Sequence, residues 1–245
     1  MKSSLPAIYM IEDDADLRES VGSLVSTKGY RYETFDSVEA FLSSEMQSQA
    51  SGCILLDFQL RGRNGLSFLE QYRDQPNAMP VVVLTAHADV PITVKFMKAG
   101  ATMLLRKPYE TSELLDAIEK ALELNRQQLE YRSQVQHYTS CLSKLSNRQV
   151  ITLQSVLDGT CNKSIASILD VSERTIEMDR ADILKVFSVK NAVELAVSIT
   201  KSRAAQEILS GKFLRRVDMT TAGASPHFDS ERAIAAKESL KDETR

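Results

Sequence analysis

Apolar residues follow two different rhythms along this chain, and the rhythm changes near residue 124. Before that point, short apolar runs alternate with stretches in which apolar residues recur every three or four positions. Residues 7–11, 30–35, 53–56, 80–85 and 103–105 have the length and composition of strands. Residues 17–28, 38–46, 65–74, 90–99 and 112–124 carry helical spacing, as in Leu17, Val21, Leu24 and Val25. Strands alternating with helices predict a parallel sheet covered on both faces. Right-handed crossovers make it a doubly wound α/β domain of five strands and five helices.

Beyond residue 124 the strand pattern stops. Residues 125–143 are polar, contain no glycine or proline, and read as a helical linker that continues the preceding helix. Ile118, Leu122, Asn125 and Leu129 have heptad-like spacing, but the pattern ends at Arg132. A solvated helical spacer therefore fits better than a coiled coil. Residues 144–202 are helical throughout. Ser146 and Gln149 form a capping box for a helix ending at Asp158-Gly159. Asn162 is placed to cap the next helix. A tight turn at Asp170-Val171 leads to Ser172, a good cap for a helix over 173–187. Two short helices joined by a tight turn suggest a helix-turn-helix, though by pattern alone a small helical interaction bundle stands level with it. Residues 203–245 read as a tail, partly disordered, with a short helix possible over 230–240.

Composition adds class rather than detail. At 245 residues, with 43% apolar and 26% charged content, the chain fits two ordinary soluble domains. No apolar run approaches the length of a membrane span, and acids appear too early for a signal peptide. The three cysteines, Cys53, Cys141 and Cys161, show no metal spacing and read as reduced thiols of a cytoplasmic protein. The net charge of −3 is uneven: residues 144–199 carry 7 basic and 7 acidic residues. A neutral module is an unusual nucleic-acid binder, because phosphate neutralisation supplies most non-specific affinity.

The candidate chemistry lies at the strand ends, where ligands sit in such sheets. The first strand ends in Glu12, Asp13 and Asp14, the third in Asp57, the fourth in Thr85, and the fifth in Arg106-Lys107-Pro108. One strand-end aspartate is an ordinary turn residue. Several converging carboxylates repel one another unless a cation sits among them, and hard oxygen donors suit Mg²⁺. Asp57 could then attack a phosphoryl group, with Lys107 neutralising its oxygens and Thr85 donating a hydrogen bond.

At these residues the chain resembles a known family. The acids of IEDDADLR, the Asp57 of CILLD, LTAHADVP around Thr85 and KAGATMLLRKPYE around Lys107 are similar to the receiver domain of two-component response regulators, FixJ/NarL type. The resemblance implies that Asp57 is the phosphoacceptor and that Thr85 and Lys107 bind the phosphoryl group. It implies Mg²⁺ ligation by Asp13, Asp57 and the backbone carbonyl of Gln59, with Glu12 assisting, and a cis Lys107–Pro108 bond. Two positions depart from the family: Arg61 replaces a usual proline, and Leu104 replaces the usual aromatic switch residue that moves with Thr85. His87 is read as a loop residue.

LSNRQ and GTCNKSIASILDVSERTIEMDRADIL resemble the LuxR-type helix-turn-helix of the same regulators. That likeness maps Lys163, Arg174, Thr175, Glu177, Met178, Arg180 and Lys185 onto the DNA-facing region, and the last helix onto a dimer-forming one. Asp179 stands where a histidine is usual, Val186 where a lysine is usual, and Phe187-Ser188 where Leu-Gly is usual. The resemblance implies a transcriptional regulator phosphorylated by a histidine kinase, binding DNA in the major groove as a homodimer, with no membrane contact and no catalytic output domain. The neutral charge keeps a second reading open: a helix-turn-helix that has lost DNA binding and acts through protein contacts.

Overall fold

The computed structural model describes residues 6–44, 51–60, 65–86 and 89–212. The chain divides into two compact units, Met1–Ser133 and Gln134–Arg245. The first is a five-stranded parallel sheet of order β2-β1-β3-β4-β5. Its strands are β1 (Ala7–Ile11), β2 (Arg31–Phe35), β3 (Gly52–Asp57), β4 (Val81–Thr85) and β5 (Met103–Arg106). Its helices are α1 (Ala15–Ser26), α2 (Val38–Ser43), α3 (Gly65–Tyr72), α4 (Val90–Ala99) and the long α5 (Thr111–Ser143). The doubly wound architecture expected from the sequence is the one observed.

Two cores explain why β1, β3 and β4 are apolar at almost every position. Successive side chains in a strand point to opposite faces. Tyr9, Ile11, Ile54, Leu56, Val81 and Val83 face one way, against Phe41, Phe68 and Phe96 from α2, α3 and α4. Ile8, Met10, Cys53, Leu55, Val82 and Leu84 face the other way, against Val21 and Val25 of α1 and Leu114, Ile118 and Ala121 of α5. With both faces covered, alternation disappears and a continuous apolar run remains. Asp14, Ser37 and Asp89 cap α1, α2 and α4 with side-chain oxygens, and Gly100 closes α4 in the left-handed conformation.

The second unit contains α6 (Asn147–Leu157), α7 (Asn162–Leu169), α8 (Glu173–Val186), α9 (Ala192–Lys201), α10 (Arg203–Glu207) and a π-helical turn, Ile208–Lys212. The capping box at Ser146 and Gln149 forms as expected. Asp170 takes the left-handed conformation in the turn between α7 and α8, and Ser172 caps α8. The cap of α7 differs from the expectation. Cys161 holds that position without a side-chain hydrogen bond, and Asn162 is the first helical residue.

Two expectations need larger corrections. The linker over 125–143 is helical, but it is solvated on one face only. Asn125 is buried and its Oδ1 accepts the Gly52 N–H at 2.9 Å, while Arg132 donates to the Ala78 carbonyl. Tyr138 and Cys141 are buried in the core of the second unit with Leu153, Ile183, Leu195 and Ile199. One face of this stretch is exposed, through Arg126, Gln127, Glu130, Gln136 and Ser140, while the other carries these buried contacts. Nor does the tail begin at residue 203. Ala204, Ala205 and Ile208 are buried, and Ser202 caps α10 while donating to Gln134. The helix considered over 230–240 lies outside the described residues.

Two backbone positions give direct tests. Gly52 has φ +154, and a Cβ there would stand 2.0 Å from the Ala7 carbonyl oxygen, which is backbone and cannot swing away. Gly52→Ala is expected to destabilise the first unit by about 3 kcal/mol, read from its calorimetric transition. Ser188 follows α8 with φ 56. Relief of that left-handed strain makes Ser188→Gly stabilise the second unit by about 1 kcal/mol; an unchanged melting temperature would contradict this.

Candidate functional site

The carboxyl ends of β1, β3, β4 and β5 bring together the residues singled out from the sequence. Glu12, Asp13 and Asp57 each offer a carboxylate oxygen, and these lie within 4.8 Å of one another. Glu12 and Asp57 are buried. The Lys107 Nζ donates to Asp57 Oδ1 at 2.7 Å and to Glu12 Oε2 at 2.9 Å. The Lys107 N–H donates to the Thr85 carbonyl at 2.7 Å, which fixes its backbone beside the end of β4; the Lys107–Pro108 bond is cis, as expected. Thr85 is fully buried at the end of β4. The Gln59 N–H donates to Asp57 Oδ2 at 3.0 Å, so the residue whose carbonyl was expected to join the metal ligands orients the Asp57 carboxylate through its amide. Asp14 is not part of the cluster; its side chain is used on the N–H groups of Asp16 and Leu17.

The electrostatics follow from that packing. Burial pushes the Glu12 carboxyl above the usual carboxylate range. The Lys107 hydrogen bond pulls it back, and the neighbouring Asp57 charge pushes it up again. Burial works against the Lys107 charge, but the hydrogen bonds to Asp57 and Glu12 outweigh it and hold the ammonium above its ordinary value. One ammonium cannot compensate three carboxylates. The remaining negative charge, presented by hard oxygen donors, fits a divalent cation of the Mg²⁺ kind.

Some participants were missed from sequence. Arg18 donates to the Glu12 carbonyl and so fixes the backbone beside the acids. The Tyr109 hydroxyl is buried without a hydrogen-bond partner two residues beyond Lys107. Nothing in the spacing of either residue distinguishes it from an ordinary helix or loop residue. Leu104 is half-buried and packs against the core on the α2–α4 side. Arg61 and His87 lie outside the described residues.

In the second unit, α8 is the helix after the tight turn. Lys163, Arg174, Glu177, Met178 and Lys185 are exposed. Thr175 is half-buried, its hydroxyl 2.8 Å from that of Ser172. Arg180, expected to contact phosphate or base, is half-buried; its Nη1 donates to Asn162 Oδ1 at 2.8 Å and ties α8 to α7. Asp179 is not a surface charge either. It is buried and accepts two hydrogen bonds from Arg148, at 2.7 and 3.0 Å, joining α6 to α8. Val186 is half-buried and packs on the core. The two substitutions that suggested lost DNA binding are therefore internal packing choices.

Comparison with known proteins agrees with both halves. Residues 8–119 match the response regulator receiver domain, and residues 143–199 match the LuxR family of bacterial regulatory proteins. This chain belongs to the response regulators. It is 34% identical over 195 residues to the response regulator protein TmoT of Ectopseudomonas mendocina, covering 80% of this chain and 88% of that one. It is 32% identical to the transcriptional regulatory protein FixJ of Bradyrhizobium diazoefficiens, covering 77% and 91%. The solved structure of the response regulator StyR is similar at 34% identity with a TM-score of 0.72, over 81% of this chain and all of that one. A receiver joined to a LuxR-type module makes this response regulator a phosphorylation-dependent transcriptional regulator. An output by protein contact alone is not favoured. Among the described residues no helix is long and apolar enough to cross a membrane.

The donor set gives a binding test. Mg²⁺ is expected to raise the melting temperature of the first unit in a saturable way. Loss of a ligand outweighs loss of a supporting group, itself worth about tenfold in affinity. Asp13→Asn and Asp57→Asn should therefore each weaken Mg²⁺ binding at least that much in calorimetric titration.

Proposed function

We propose that Asp57 accepts a phosphoryl group from the phosphohistidine of a partner histidine kinase, and that the resulting acyl phosphate promotes dimeric binding of α8 to DNA. The observation that carries this reading is the pairing of one ammonium, Lys107, with both Asp57 and Glu12 at the strand ends. A carboxylate oxygen of Asp57 attacks phosphorus, the P–N bond of the donor breaks, and the electron pair leaves with the imidazole. Lys107 is placed to follow the charge from the carboxylate to the phosphoryl oxygens. Thr85, at the end of the neighbouring strand, is the hydroxyl for one of those oxygens. Bound through Glu12, Asp13, Asp57 and the Gln59 carbonyl, Mg²⁺ would supply further neutralisation of those oxygens.

Engagement of the Thr85 hydroxyl by the phosphoryl group is the event that Leu104, on the adjacent strand β5, would sense. Arg174, Lys163 and Lys185 provide the cations for phosphate contacts, with the exposed face of α8 in the major groove.

The test couples both modules. Duplexes selected from a random pool should be bound more tightly after treatment with Mg²⁺ and beryllofluoride, a phosphoryl mimic. Asp57→Asn should bind at the untreated level under both conditions. Lys163→Ala should weaken binding evenly across sequences and reduce the salt dependence by about one phosphate contact. A mimic that binds the protein without changing its DNA affinity would overturn the coupling.

A further inference from the structure

Helix α8 divides sharply between an inner and an outer face. Ile176, Asp179 and Ile183 are buried, while Arg174, Glu177, Met178, Ala181, Asp182 and Lys185 are exposed. The internal ties described above narrow the outer face further. Arg180 is held by Asn162, Asp179 is held by Arg148, and Lys185 lies 3.6 Å from Asp182. The exposed side chains left in the N-terminal half of the helix, the half that reaches base edges in a helix-turn-helix, are Glu173, Arg174, Glu177 and Met178, with Thr175 half-buried against Ser172.

Met178 is the odd member of this set. It is 62% exposed and is absent from both apolar clusters of the second unit. The residues that share its face are mostly charged. A single exposed apolar side chain is ordinary on a protein surface. Here, however, it stands on the helix that reads DNA, at a position the core does not use. The major groove presents one apolar group to such a side chain, the 5-methyl of thymine. Glu173 and Glu177 offer acceptors alone and Arg174 donors alone, so none matches a methyl, and the half-buried Thr175 is turned to Ser172 by its hydroxyl. Met is unbranched and adaptable, which suits contact with a small apolar group at a polar edge.

We infer that Met178 reads the 5-methyl group of a thymine in each half-site. The inference rests on the DNA-binding reading above and names the base chemistry that this chain's α8 selects. Its consequence is that sequence preference and affinity separate. The cations set how tightly the module binds, and Met178 sets a preference for thymine at one position.

Deoxyuridine differs from thymidine by that methyl alone, which makes the test chemical. The full chain is first used to select a site from random duplexes. Each thymine of the site is then replaced singly by deoxyuridine, leaving its pairing unchanged. One position per half-site is expected to lose about fourfold in affinity for the wild type, the value for burying one methyl group. Met178→Ala should bind thymine and uracil duplexes equally there, and Met178→Leu should retain the penalty. Because Met178 is exposed, both variants should melt with the wild type. Failure to select any site would count against DNA binding itself. A selected site indifferent to every uracil, or a penalty that persists in Met178→Ala, for instance through Ala181, would overturn the inference while leaving DNA binding intact.

Discussion

The first unit is organised around a charge that has been taken out of water. Asp57 ends a strand covered on both faces, and Glu12 ends its neighbour, so two carboxylates approach within a few ångströms where solvation is weak. Lys107 makes this arrangement tenable, and the lysine in turn depends on β5 pairing beside β4 to bring its ammonium across. Remove the ammonium and the two acids become an uncompensated pair, a costly state in a poorly solvated rim. The order of the strands, the turn after β5 and the burial of Thr85 all serve the placement of one cation among several anions.

A comparable constraint governs the second unit on a smaller scale. Helix α8 is held by polar ties as well as by packing. Arg148 grips Asp179 with two hydrogen bonds, and Arg180 grips Asn162. Arg148 is neutralised by its partner, whereas Arg180, held by a neutral amide, keeps its full charge. One acid of the neutral count, Asp179, is thus accounted for by how α8 is fastened.

Much of this could be read from the residues. The strands announced themselves because full burial removes alternation, and the acids, Thr85 and Lys107 fell at strand ends in the order that a parallel sheet brings together. The site was legible because its geometry is a consequence of topology. What escaped were features with no period. Asn125 and Arg132 look like surface residues of a polar helix, yet Asn125 is buried against β3 and Arg132 reaches a carbonyl near β4. Asp179 looked like a lost cation because charge counting has no information about partners. The helical segment over 203–207 and the Ile208 after it looked like the start of a tail because two alanines and an isoleucine make a weak apolar signal.

The long helix α5 changes what counts as a module. Its first turns close the core of the first unit through Leu114, Ile118 and Ala121, and its last turns supply Tyr138 and Cys141 to the core of the second. A boundary drawn where sequence similarity to the LuxR family begins, at residue 143, would leave that second core without one of its walls. Grafting this DNA-binding half onto another sensor, or trading receivers between relatives, would have to carry the residues from Gln134 onward. The inheritance unit of this protein is longer than the motif by which it is recognised.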